Sequence, residues 1–210
     1  NLIFHISDEP ELKHFESYRA AHDTVADLFG DNPVCDAMSD LKYYTEGLVD
    51  QPIFHVGHMT NEIKENCNSF WLYYTGGEVD TSNRKISNTA AATRVIGVQM
   101  YVYNALGFLQ WGYNYYYDML SLGFSNPASN PSAYKLFPGV AFLCYPIFAK
   151  GKATVTPSIR EKLMSEAMDD LRALRLLESK IGREATLELC ENHLGKIDTH
   201  TIPTGEALRL

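Results

Sequence analysis

Short apolar segments of strand type, each followed by a stretch of helical or turn character, recur along this chain, and that alternation limits its fold more than any other feature. Residues 2–6, 33–38, 52–56, 69–74 and 108–113 read as strands, rich in Ile, Val, Phe, Tyr and Trp. Between the first two, Leu12, Phe15, Tyr18, Ala21 or His22, Val25 and Leu28 or Phe29 recur at steps of three and four before Gly30, the pattern of an amphipathic helix with a glycine stop. Ser39 is a fitting cap for a helix over 40–49, residues 61–68 are polar and ambiguous, and 75–88 read as a loop rich in Gly, Asn, Ser and Thr. A helix is expected over 89–106, ended by Gly107, then a long irregular loop over about 121–138 with Pro127, Pro131 and Pro138, and a short strand at 140–144. From Pro157, with Ser158 near the cap, Ile159, Leu163, Ala167, Leu171, Leu174 and Leu177 make one apolar face that ends at Gly182, and a last helix follows over 184–194.

Such alternation, with strands apolar throughout, predicts an α/β fold: a parallel sheet with helices outside it. A (β/α)₈ barrel takes about 250 residues. Five strand units in 210 residues then correspond to its later part, about strands 4 to 8. The chain is read as one domain, residues 1–210, a fragment whose missing N-terminal half of the barrel is expected upstream of Asn1. An open doubly wound sheet is the competing architecture, yet no glycine-rich turn follows any strand to hold a nucleotide.

A formal charge of -8 argues against nucleic acid and anionic membranes, which call for clustered Lys and Arg. No apolar run reaches the roughly 20 residues of a membrane span. Cys35, Cys67, Cys144 and Cys190 lack CxxC spacing, so neither a zinc site nor a disulfide framework is indicated and buried free thiols are expected. The composition leaves the compartment open.

Unusual side chains gather at the strand ends. Asp8 and Glu9 follow the first, Asp36 lies in the second, and His55 and His58 flank the third. Trp71, Tyr73 and Tyr74 belong to the fourth, and Gln110, Trp111, Tyr113 and Asn114 to the fifth. In a barrel these ends share one mouth, and rings, amides, imidazoles and carboxylates suit the faces and hydroxyls of a sugar. Each has a plainer reading. Asp8 or Ser7 can cap the helix that begins near Pro10, with Glu9 and Glu11 favouring the helix dipole. Single aromatics belong more often to core and rim, His55 reads first as a packing residue, and metal-assisted hydrolysis by Asp36, His55 and His58 is the weaker reading of that group. Asp170, on the border of its helix's apolar face, is expected to pair with an arginine such as Arg94 or Arg160.

Four blocks, SNRKIS, ATRVIGVQMYVYNALGFLQWGYNYYYD, FPGVAFLCYP and PSIREKLMSEAMDDLRALRLLESKIG, resemble the C-terminal half of the catalytic barrel of glycoside hydrolase family 123, and a related domain-of-unknown-function family shares them. The resemblance spans essentially the whole chain and implies a (β/α)₈ barrel with β-N-acetylgalactosaminidase activity and a carbohydrate substrate. No cofactor and no metal are expected. The family's adjacent Asp-Glu at a strand end falls on Asp8 and Glu9. Glu9 would then be general acid and base, and Asp8 would orient the substrate's own acetamido group, whose oxygen attacks the anomeric carbon. Asp36, His58, Trp71, Tyr74, Trp111, Tyr113 and Asn114 are the expected substrate-binding residues. Family members often carry an acid after the glycine of the FPxGx block and a glycine after YP, where this chain has Val140 and Ile147, so its long loop departs from the pattern. The alternative function is a catalytically silent carbohydrate-binding barrel.

Overall fold

Four short strands, β1 (Ala37–Met38), β2 (Ile53–His55), β3 (Trp71–Tyr73) and β4 (Gly107–Leu109), form a parallel sheet in the order β1-β2-β3-β4. The computed structural model describes residues 2–78, 80–118, 122–132, 136–149 and 151–208. Register runs from Ala37 opposite Ile53 through Ile53 opposite Trp71 to Trp71 opposite Gly107, and a parallel bridge from Phe4 to Val34 adds an extended segment before β1. Spatial order follows chain order, so the architecture is mixed α/β with a parallel sheet, the arrangement of a partial α/β barrel.

The chain divides into two compact units, residues 1–73 with 103–109 and residues 74–102 with 110–210. In the first, α1 (Phe15–Val25) turns Phe15 and Tyr18 inward, with 3₁₀ turns at both ends. The ambiguous stretch at 61–68 contains α3 (Asn61–Asn66), because Thr60 Oγ1 accepts from Ile63 N at 3.2 Å. The helix expected over 40–49 shortens to α2 (Lys42–Thr45).

The helix expected over 89–106 is two helices, α4 (Ala90–Arg94) and α5 (Ile96–Tyr103). Its end is not Gly107, which lies in β4, but Asn104 at φ 58°. Gly107 is there for space, since a Cβ would stand 2.6 Å from the Trp71 ring.

In the second unit α6 (Ile159–Ile181) starts where Ser158 Oγ accepts from Glu161 N at 3.3 Å, and ends at Gly182 with φ 87°. It buries Ala167, Leu171 and Leu174. A Cβ on Gly97 of α5 would fall 1.9 Å from the Ala167 carbonyl oxygen, so glycine permits that helix contact. Asp170 pairs with Arg94, Nε at 2.6 Å and Nη2 at 2.7 Å, as expected of an acid bordering the apolar face. α7 (Arg183–Leu194) follows.

A hairpin of β5 (Cys144–Ala149) and β6 (Lys152–Pro157) stands largely exposed where only a short strand at 140–144 was expected. Pro146 and Pro157 lack amide donors and hide the pattern. Of the expected loop over 121–138, residues 121 and 133–135 lie outside the described residues. All four cysteines are buried and free, and among the described residues no helix is long and apolar enough to cross a membrane.

Candidate active site

Asp36 organises the strand end that carries the acid pair. Its side chain is fully buried, and a buried carboxylate must find donors or a counter-charge. Ile6 N donates to both of its oxygens at 3.1 Å, Ser7 N donates at 3.3 Å and Tyr18 Oη at 2.5 Å. His5 Nδ1 closes on Oδ1. Burial, and after it the hydrogen bond to Asp36, pushes the Tyr18 phenol far above its ordinary pKa. The chain entering Asp8 and Glu9 is thus tied to β1's edge through its own amides.

Asp8 and Glu9 are both exposed. The following helix does not use them. Its first turn begins at Leu12 with Glu11 as the capping residue, and His14 Nδ1 accepts from Glu11 N at 3.1 Å. Glu9 has φ 47°, a left-handed backbone that costs a non-glycine residue on the order of 1 kcal/mol and persists where surroundings over-determine it. Its Oε1 accepts from the Tyr73 phenol at the end of β3. Ser7, Asp8, Glu9, Pro10, His14 and Tyr18 help line a hollow of about 370 Å³.

Other predicted residues of this unit lie apart from that hollow's lining. The Asp36 carboxylate is occupied as described. His58 is exposed, its ring centroid 4.9 Å from that of His55. His55 Nδ1 accepts from Gly57 N at 3.1 Å, which puts the neutral ring's proton on Nε2, and its ring meets Tyr73 edge-on at 5.1 Å. Trp71 packs on Gly107 and against the cluster of Cys35, Ala37, Ile53 and Tyr73. Among the described residues no group of three or more His, Cys, Asp or Glu is arranged to hold a metal ion.

The remaining four belong to the second unit. Trp111, Tyr113 and Asn114 line a hollow of about 850 Å³ formed by residues 110–117. Trp111 is 40% and Tyr113 44% exposed, and Tyr113 Oη donates to Glu161 Oε1 at 3.1 Å. Tyr74 is wholly buried, its phenol on Met164 Sδ at 3.4 Å and the Arg84 guanidinium 4.7 Å from its ring centre. Burial pushes that phenol up to about 12.

Three groups that sequence reasoning passed over shape these sites. In sequence Tyr73 is one of the strand-end rings and Tyr18 a member of a helical stripe. Arg84 is fully buried within a polar loop whose residues 81–85 are all buried. Its Nη2 donates to Trp111 O at 2.7 Å and Val140 O at 2.6 Å, and its Nη1 to Tyr74 O and Thr75 O at 3.4 Å. Arg160 Nη1 donates to Arg84 O, Gly139 O and Phe142 O. The available signal was each arginine's place inside a quoted block, SNRKIS and PSIR.

The first unit thus presents two adjacent exposed acids beside a hollow. The model of the glycoside hydrolase 123 catalytic domain matches residues 1–177, and the chain belongs to that family. Among solved structures, a family 123 glycoside hydrolase from Clostridium perfringens, studied for glycolipid glycan hydrolysis, is similar over 96% of this chain with a TM-score of 0.64 and 20% sequence identity. This chain spans 37% of the length of that structure. The comparison with curated proteins finds no match.

Proposed function

We propose that this chain is the later part, about strands 4 to 8, of the (β/α)₈ barrel of a retaining glycoside hydrolase that removes terminal β-linked N-acetylhexosamine, N-acetylgalactosamine first, by substrate-assisted catalysis. The observation that carries the reading is that Asp8 and Glu9 stand exposed at a strand end while Glu11 and His14 take the helix start. Neighbouring residues at a strand end direct their side chains apart, so two carboxyl groups can work on different parts of one sugar. Glu9 protonates the leaving oxygen. Asp8 accepts from the acetamido N–H and holds that group so that its carbonyl oxygen attacks the anomeric carbon, and the C–O bond to the aglycone breaks as an oxazolinium ion forms. Water then adds at the anomeric carbon, giving its proton to Glu9, and the acetamido group is released unchanged.

The hollow of residues 110–117 supplies rings and amides of the kind that bind sugar faces and hydroxyls, and Trp111, Tyr113 and Asn114 are assigned to substrate there. Because the similar Clostridium perfringens enzyme was studied on glycolipid glycans, a glycolipid glycan is the natural substrate to try first. The test is hydrolysis of an aryl β-N-acetylgalactosaminide by the full-length protein. Glu9→Gln is expected to lower turnover by about 10² to 10⁴-fold, the usual share of general acid–base catalysis. Undiminished turnover removes Glu9 from the mechanism. Sugar binding without turnover in the wild type is the signature of the silent carbohydrate-binding barrel.

A further inference from the structure

Glu9 is an exposed acidic residue held at φ 47°. A side chain in that backbone region persists when contacts on either side leave it no alternative. On the N-terminal side the contacts converge on one buried group. Asp36 takes the amides of Ile6 and Ser7, while Tyr18 Oη and His5 Nδ1 fill the rest of its carboxylate. Beyond the turn, Tyr73 donates its phenolic proton to Glu9 Oε1. The Tyr73 ring is itself fixed, 6% exposed and packed with Cys35, Ala37 and Ile53.

We propose that Asp36 and Tyr73 are positioning residues that together set the aim of the Glu9 carboxyl, Asp36 through the main chain of Ile6 and Ser7 and Tyr73 through Oε1, leaving Oε2 to face the leaving group. This rests on the hydrolase reading of Glu9. It also reassigns Asp36: the carboxylate works by holding the chain, and substrate does not touch it. A proton donor works only within about 2.6–3.2 Å of the atom it serves. A turn released on one side therefore loses proton transfer before it loses sugar binding.

The consequence separates positioning from general support of the fold. A misaimed acid harms substrates with poor leaving groups, which need the proton, and spares those with good leaving groups, which depart as anions. Measure kcat/KM for the full-length wild type, Glu9→Gln, Asp36→Asn and Tyr73→Phe on aryl β-N-acetylgalactosaminides graded from dinitrophenyl to unactivated phenyl. The expected result is a loss of about 100-fold for Asp36→Asn and about 10-fold for Tyr73→Phe on the poorest leaving group, parallel in kind to Glu9→Gln, with KM and the dinitrophenyl rate within about threefold of wild type. Tyr73→Phe keeps the ring and its packing, so it decides the matter even where Asp36→Asn fails to fold. An even loss across all leaving groups in Tyr73→Phe, beside a selective loss in Glu9→Gln, overturns the positioning roles and leaves the hydrolase reading standing. A wild type without turnover, or a Glu9→Gln variant with full turnover on every substrate, removes both.

Discussion

Asp36 in the first unit and Arg84 with Arg160 in the second bury charge of opposite sign by the same device. Asp36 is closed by amide, phenol and imidazole donors, whereas the two guanidinium groups are closed by main-chain carbonyls. Neither arrangement sets a fully buried cation against a fully buried anion among the described residues, a pairing whose desolvation often offsets its attraction. The difference lies in where the partnered chain leads. The amides on Asp36 precede an exposed acid pair directly, so the buried charge shapes a site. The carbonyls on Arg84 come from four loop positions, and among the described residues its Nε has no hydrogen-bond partner, so that charge ties loops together. Burial brings the Arg84 pKa down to about 10 and lowers that of Arg160. A buried charge is thus no mark of catalysis by itself.

The comparison can be broken first at its costlier end. Arg84→Met should strip donors from the carbonyls of Tyr74, Thr75, Trp111 and Val140 and cost about 3 kcal/mol or more in urea denaturation. Asp36→Ala should cost less, about 2 kcal/mol, because Ile6 and Ser7 are partly exposed and His5 is exposed, so their freed groups can turn to water and the buried Tyr18 hydroxyl is left to lose its acceptor. The reverse ranking would show that the acid bracket, not the guanidinium one, carries the core.

A smaller effect sharpens the contrast through pH. The Tyr18 phenol is raised in the fold above its ordinary 10.0, so its contribution to stability is complete below that pH and is lost as pH climbs beyond it. Each pH unit above the ordinary value removes up to about 1.4 kcal/mol for one such group. Tyr18→Phe should flatten the alkaline fall in stability by that amount per unit, read as denaturation midpoints at two alkaline pH values. Least of all should be the effect of Glu9→Gly on stability, within about 0.5 kcal/mol of wild type, because relief of the left-handed backbone offsets glycine's entropy and the lost phenol contact. A large loss there would make Glu9 a structural residue.

Local signals carried the fold a long way. Ser158 capped its helix, Gly182 ended it, Asp170 found Arg94, and β2 and β3 fell within their apolar runs. The acid pair had a local reading as a helix start, and the structure gives that place to Glu11. What stayed hidden was long-range. Asp36 meets Ile6 across 30 residues and Tyr18 across 18, and Tyr73 meets Glu9 across 64, separations that no periodicity encodes. Gly107 read as a stop because the need for space beside Trp71 looks, in sequence, the same as a need for positive φ. The burial of the polar loop at 81–85 had no signal in sequence, because carbonyls distant in the chain take the Arg84 donors.

The central claim is that Asp8 and Glu9 act on a 2-acetamido sugar whose own carbonyl oxygen is the nucleophile. Its most direct test is the wild-type rate on aryl N-acetylgalactosaminides whose acetyl methyl group bears successively more fluorine. Participation predicts a stepwise fall in kcat/KM as fluorine draws electrons from the attacking oxygen. A rate indifferent to fluorination would show that the acetamido group takes no part and would contradict the roles given to both acids.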